Sequence, residues 1–251
     1  MTEVRTVVVT GGGRGLGADI TRAFHAAGDR LVIASRTDSG LAEQLGDRVR
    51  FVECDAEQPE SMRNAMQAAQ AWAGRLDVLV NNAGRSAWRP LADIDEAFWD
   101  GMLATNLKSV LFGTQAAAAL FGSGGVVINI SSLAGKRGSA NNSVYCAAKF
   151  GVNGLTQALA KELGPRGTRV NAVCPVYIQT EGLLEALEDP LSPTQGRKIE
   201  GYLEEFATSQ TALGRLPSGQ QVAATCVYLA SSAASAITGQ CINVDCGVMP
   251  Q

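Results

Sequence analysis

One histidine among 251 residues is too few for most metal chemistry. Zinc centres draw on clustered His and Cys at short fixed spacings. His25 stands alone, and the six cysteines at 54, 146, 174, 226, 241 and 246 form no CxxC pair. No metal is therefore expected. His25 falls in a helical pattern and reads as a surface or packing residue, while the cysteines lie mostly inside strand and helix patterns and read as reduced, buried thiols of a cytoplasmic protein. Charge is also sparse, at 18% of residues, and nearly balanced, with 21 Lys and Arg against 24 Asp and Glu. A net charge of −3 lacks the basic footprint of a nucleic-acid partner. No apolar run approaches the roughly eighteen residues of a membrane span. Residues 1–6 lead directly into a strand pattern and leave no room for a signal peptide. There is no internal repeat and no low-complexity linker.

What the chain does have is apolar residues (46%) and 28 glycines, in a length suited to one domain. Seven short apolar runs recur: Thr6–Thr10, Arg30–Ala34, Val49–Glu53, Leu76–Val80, Gly125–Ile130, Arg169–Val173 and Cys241–Val244. Most are near-continuous and β-branched instead of alternating, as expected of parallel strands covered on both faces. Helical patterns at Gly17–Ala27, Gln58–Ala73, Thr105–Leu120, Val144–Leu163 and Gly219–Ala230 separate them. This alternation predicts an α/β fold: a single-domain, doubly wound, seven-stranded parallel sheet with helices on both faces. The one long irregular stretch, Thr180–Leu216, holds Pro190 and Pro193 and then a helical pattern at Lys198–Thr208. Its 181–211 portion is expected to be a substrate lid within the domain, with Gly182 and Gly201 as hinge candidates.

The first run ends in Thr10-Gly11-Gly12-Gly13-Arg14-Gly15-Leu16-Gly17 and opens a helix. Gly11, Gly15 and Gly17 permit a sharp turn and close approach to phosphate, and the helix start, with Leu16, offers free N–H groups. The pattern fits a dinucleotide pyrophosphate. A site for NAD would place an acid about twenty residues on. Here Ser35 and Arg36 occupy that place. Arg14 and Arg36 can grip a ribose 2′-phosphate from two sides, with Ser35 donating a hydrogen bond, so NADP(H) is the expected cofactor. The competing reading is a surface Arg36 and an enzyme tolerant of both cofactors. Asp55, beside Ala56 and two residues past the third run, is placed for the adenine amino group; an ordinary turn aspartate would look the same. Asn81-Asn82-Ala83-Gly84 follows the fourth run, where small residues let backbone lie against the cofactor.

Tyr145 and Lys149 stand four residues apart on a helical pattern, so a phenol and an ammonium share one face. A free tyrosine is only about 0.1% ionised at pH 7, and lowering its pKa by three takes on the order of 4 kcal/mol. The Lys149 ammonium and an oxidised nicotinamide are two positive charges able to supply that. Ser132 follows the fifth run, at the strand end where open sheets bind ligands, and its hydroxyl can polarise a carbonyl.

These residues resemble the short-chain dehydrogenase/reductase family, about-250-residue branch, over essentially the whole chain. The matching motifs are TGxxxGxG at Thr10–Gly17, NNAG at Asn81–Gly84, Asn106 in Thr105–Ser109, Ser132 and YxxxK at Tyr145–Lys149. The resemblance implies a Rossmann fold and a catalytic tetrad: Tyr145 as acid/base, Lys149 holding the nicotinamide ribose and lowering the tyrosine pKa, Ser132 orienting the carbonyl, and Asn106 holding a water in a relay to Lys149. It implies that Pro175, Ile178 and Thr180 bind the carboxamide, although Val176 replaces the usual glycine there. Val244-Asp245-Cys246-Gly247 replaces the usual double glycine near the C-terminus. It further implies a homotetramer or homodimer, with the small-residue face at Ala147–Leu159 packing between subunits.

The activity so implied is interconversion of a ketone and a secondary alcohol. Similarity to 3-oxoacyl-carrier-protein reductases and to sugar and polyol dehydrogenases offers a 3-oxoacyl thioester or a polar sugar-like carbonyl as the small-molecule substrate. The alternative of a non-catalytic NADP(H) sensor would be expected to lose part of the tetrad, which is whole here. A nucleotide-sugar epimerase would have a TGxxGxxG turn and a longer chain.

Overall fold

The computed structural model describes residues 4–250. Seven strands form one parallel sheet in the order β3-β2-β1-β4-β5-β6-β7. They are β1 (Thr6–Thr10), β2 (Arg30–Ser35), β3 (Val49–Glu53), β4 (Val78–Asn81), β5 (Val126–Ile130), β6 (Arg169–Pro175) and β7 (Cys241–Val244). The order reverses between β1 and β4, so a crevice opens beyond Thr10 and Asn81, the switch point where such sheets bind ligands. β1 and β4 are buried throughout, as their unbroken valine runs predict. The fourth strand starts two residues later than its apolar run. The Asp77 carboxylate leaves the ladder to accept the Thr6 N–H at 2.8 Å and to pair with Arg75.

Helices α1 (Gly15–Ala26) and α9 (Gly219–Ala230) cover one face, around Ile20, Phe24, Val222 and Leu229. α3 (Pro59–Ala73), α5 (Ser109–Ala118) and α6 (Ser143–Leu163) cover the other, around Met62, Met66, Ala117 and Leu163. A short α2 (Leu41–Leu45) lies between β2 and β3. Between these two apolar layers, β4 and β5 pair Asn81 with Asn129. The Asn81 amide donates to Asn129 Oδ1 at 2.9 Å and to Thr114 Oγ1 at 3.2 Å, and the Asn129 amide donates to Thr156 Oγ1 at 2.9 Å.

Three helical details depart from the sequence reading. The helix expected from Thr105 begins earlier as α4 (Glu96–Leu103), capped by the Asp95 carboxylate on Phe98 N–H, and reaches α5 only through a π turn at Ala104–Lys108. The cause is Asn106, whose side-chain amide donates to the Met102 carbonyl at 3.0 Å and so enters the backbone ladder. In the irregular stretch, Thr180 caps a further helix, α7 (Glu181–Leu187), ahead of α8 (Ile199–Gln210). Gly182 and Gly201 consequently sit in the first turns of α7 and α8, not in free linkers. The six cysteines are unpaired, four of them buried. Among the described residues no His, Cys, Asp and Glu group could hold a metal, and no helix is long and apolar enough to cross a membrane.

Candidate active site

The glycine turn fits a phosphate cradle. Gly11 and Gly15 have φ of +63° and +51°, where a side chain would be strained. A Cβ on Gly17 would lie 2.1 Å from the Gly11 carbonyl, so nothing larger than glycine keeps this turn closed. Leu16 and Gly17 begin α1, and Arg14 at its N-cap is exposed. Thr180 closes over the turn from the far side: a Cβ on Gly15 would meet it at 3.3 Å. Ile178 is buried in the core beneath, and Pro175 ends β6.

Thr10 locks this turn to the loop after β4. Its hydroxyl accepts the N–H groups of Asn82 and Ala83, each at 3.0 Å, while the Asn82 amide donates to the carbonyls of Thr10 and Gly11 at 3.0 and 3.2 Å. The partners are 72 residues apart, so no local pattern announces the clamp. Ser35 ends β2 and donates to the Thr37 carbonyl at 3.3 Å; Arg36 beside it is exposed, and neither it nor Arg14 makes an ion pair among the described residues. Asp55 closes its own turn, accepting the Glu57 N–H at 3.0 Å, with Ala56 half-buried between them.

Ser132, Tyr145, Lys149 and Asn106 converge beside the same crevice. Ser132 follows β5 and accepts the Ala134 N–H at 3.1 Å. The Ser132 hydroxyl also acts on the Tyr145 phenol of α6, holding its pKa down against burial. Lys149 is 4% exposed. Its Nζ donates to the Ile130 carbonyl at 2.8 Å and lies 5.6 Å from the Tyr145 ring centroid. Neighbouring Ser131 donates to the Lys149 carbonyl at 3.4 Å and so serves the helix, leaving Ser132 to face the phenol. Asn106 is fully buried; its oxygen accepts the Arg85 N–H at 3.1 Å and its amide donates to the Arg85 carbonyl at 3.0 Å. A Cβ on Gly84 would stand 2.9 Å from the Asn106 oxygen and 3.8 Å from Lys149 Nζ, so the glycine leaves open the gap between them.

The protein groups alone do not produce the depressed tyrosine pKa expected from the sequence. Burial pushes the Tyr145 phenol up to about 12, and the Ser132 hydrogen bond only partly opposes it. Burial also pulls Lys149 down to about 8. Desolvation disfavours both charged forms and is the largest cause for each.

Residues 181–211 pack on the body of the domain through an aromatic cluster. Tyr177 hydroxyl pairs with Tyr202 hydroxyl at 3.0 Å, and the Tyr177 and Phe206 rings stack edge-on at 4.9 Å. Trp88, from the loop after β4, packs against Leu187 of α7 and Leu203 of α8. The sequence pattern announces neither the Trp88 packing nor the bonds that the Thr10 hydroxyl makes to the loop after β4.

A protein-family model described as enoyl-(acyl carrier protein) reductase matches residues 11–249. L-Xylulose reductase of Bos taurus is 34% identical over 98% of this chain and 96% of its own. The 3-oxoacyl-[acyl-carrier-protein] reductase FabG of Chlamydia trachomatis is 32% identical over 97% of each. Among solved structures, a single-residue variant of actinorhodin polyketide ketoreductase with NADPH superposes with a TM-score of 0.91 at 29% identity, covering 98% of this chain and 97% of that one.

Proposed function

The chain belongs to the short-chain dehydrogenase/reductase family and is an oxidoreductase, and from that premise we propose that it interconverts a ketone and a secondary alcohol with NADP(H). The observation that carries the reading is one cluster at the C-terminal edge of the sheet: Tyr145 within the influence of Ser132, buried Lys149 one helical turn on, and the glycine cradle across the crevice. A bound nicotinamide would supply the hydride. Ser132 orients the carbonyl oxygen, and Tyr145 hands its proton to that oxygen in reduction. Lys149 would hold the ribose hydroxyls, and Asn106 would hold a water in a relay to it across the space left by Gly84. A phenol pushed up to about 12 carries its proton at neutral pH but is a weak acid there, and the positive charge of a bound oxidised nicotinamide would bring it toward the working pH. Ser35 and the following Arg36, not an acid, stand at the end of β2 where a 2′-phosphate would lie, and both Arg14 and Arg36 are exposed to receive one.

The substrate proposed is a 3-oxoacyl thioester or a polar, sugar-like carbonyl; the FabG and L-xylulose reductase relatives stand for the two classes. Residues 181–211 form its lid, held down by Trp88 and Tyr177. The intact tetrad disfavours a non-catalytic sensor. The protein is proposed to be a cytoplasmic homotetramer, the exposed Leu111 and Phe150 on α5 and α6 being covered by a partner copy. A panel of 3-oxoacyl thioesters and ketoses assayed by NADPH oxidation tests the activity. Wild-type turnover of one class, reduced at least about 10²-fold in Tyr145→Phe, is the expected result. Equal rates in the folded variant would sink the role of Tyr145.

A further inference from the structure

Glu57 lies on a loop beside β3, yet its carboxylate reaches into the helix that carries Asn106. Its Oε1 accepts the Thr105 hydroxyl at 2.5 Å, the residue before Asn106 in the π turn. The same hydroxyl lies 3.0 Å from the Gly101 carbonyl, one turn back in α4, so a choice of partner exists for its single proton. The main chain of Glu57 is fixed in turn by Asp55, whose Oδ1 accepts the Glu57 N–H at 3.0 Å. The Asp55 N–H is held by Ser61 Oγ at 3.0 Å. An unbroken path of hydrogen bonds thus runs Asp55–Glu57–Thr105, and the peptide of Thr105 continues to Asn106.

We propose that Glu57 is a positioning residue that couples occupancy of the adenine end of the cofactor site to the order of the π turn presenting Asn106. The inference rests on the reading of Asp55 as the adenine contact. A purine amino group on the second Asp55 oxygen restrains the turn that aims Glu57, and Glu57 then holds the Thr105 hydroxyl away from Gly101. A π turn replaces the i→i+4 backbone bonds of the α-helices on either side with wider i→i+5 ones, so one side-chain bond carries weight in its local opening.

Adenosine 2′,5′-bisphosphate carries the adenine half of the cofactor without the nicotinamide and is the probe. Its binding is measured by calorimetry, and amide hydrogen exchange is followed across 102–110. In the wild type the probe should slow exchange there about five-fold, the scale of one net hydrogen bond. Glu57→Ala and Thr105→Val should bind the probe but lose that slowing, and Glu57→Gln, which still accepts from Thr105, should keep it. A residue that merely braced the fold would change exchange in the free protein and leave the response to the probe intact. Binding with slowing at 11–17 but none at 102–110 overturns the coupling alone, as does a full response in both Glu57→Ala and Thr105→Val. No binding at all overturns the cofactor reading with it.

Discussion

Replacing Lys149 by Met should change how stability depends on pH more than how large it is at any one pH. Lys149 falls from the ordinary 10.5 to about 8 because it is buried. Below pH 8 the folded protein carries that charge against desolvation. The 2.5 between the two values, at 1.36 kcal/mol each, makes a cost of about 3 kcal/mol at pH 7. Between pH 8 and 10.5 the unfolded chain binds the proton and the folded one does not, so the wild type gains stability as pH rises. From pH 7 to 9.5 the linkage relation gives a gain of about 2 kcal/mol. The methionine variant has no such gain. Its absolute stability also reflects the Ile130 carbonyl left without a donor, a loss that does not vary with pH. The assay is urea unfolding of both proteins at pH 7 and 9.5, at one protomer concentration so that association cannot intrude. The wild-type minus variant difference should rise by about 2 kcal/mol with pH. Tyr145 titrates near 12 and stays protonated throughout this window. A difference that stays flat would mean that Lys149 titrates normally and that the burial argument fails.

Cofactor choice should invert in Ser35→Asp/Arg36→Leu, which removes a cation and opposes a 2′-phosphate with a carboxylate; fluorescence titration showing tighter NADH than NADPH binding in the unmodified protein would contradict the assignment. Residues 181–211 should gain exchange protection when NADP(H) and a product analogue are bound together, and an unchanged pattern beside a protected glycine turn would remove the lid. Light scattering at micromolar concentration should give a tetramer mass, falling in Phe150→Glu, because a charge at a buried partner contact is costly; a wild-type monomer would rule out the assembly.

The parts of the fold written in the local pattern were legible. Thr6–Thr10 and Cys241–Val244 are strands with the bounds of their apolar runs, and Gly219–Ala230 is a helix with the bounds of its periodicity. The π turn was not, because a side chain competing with the backbone leaves the helical period intact on either side. Nor was α7, seven residues long, with Gly182 in its first turn and prolines soon after. In the site, glycines and the Tyr145–Lys149 spacing announce themselves because each is bound to short-range geometry. Thr10, Trp88 and Glu57 act across 48 residues or more, or through packing, and only the fold brings their partners near. The charge states were the least legible: spacing shows that Lys149 can face Tyr145, but depth decides which ionised form survives.

The asparagine pair between β4 and β5 also bears on how the chain finds its strand alignment. Valine, isoleucine and leucine on a doubly covered sheet are nearly interchangeable, so the apolar layers alone discriminate weakly between neighbouring alignments. Slide β5 by one position and Asn129 turns to the opposite layer, leaving the Asn81 amide and Thr156 without it. Each buried polar group so stranded costs about 1–3 kcal/mol. Two asparagines and their threonines therefore act as an address label inside the sheet: they make misaligned pairings expensive during assembly, and they do so directly behind the strand ends from which the Asn82–Gly84 loop and Ser132 emerge.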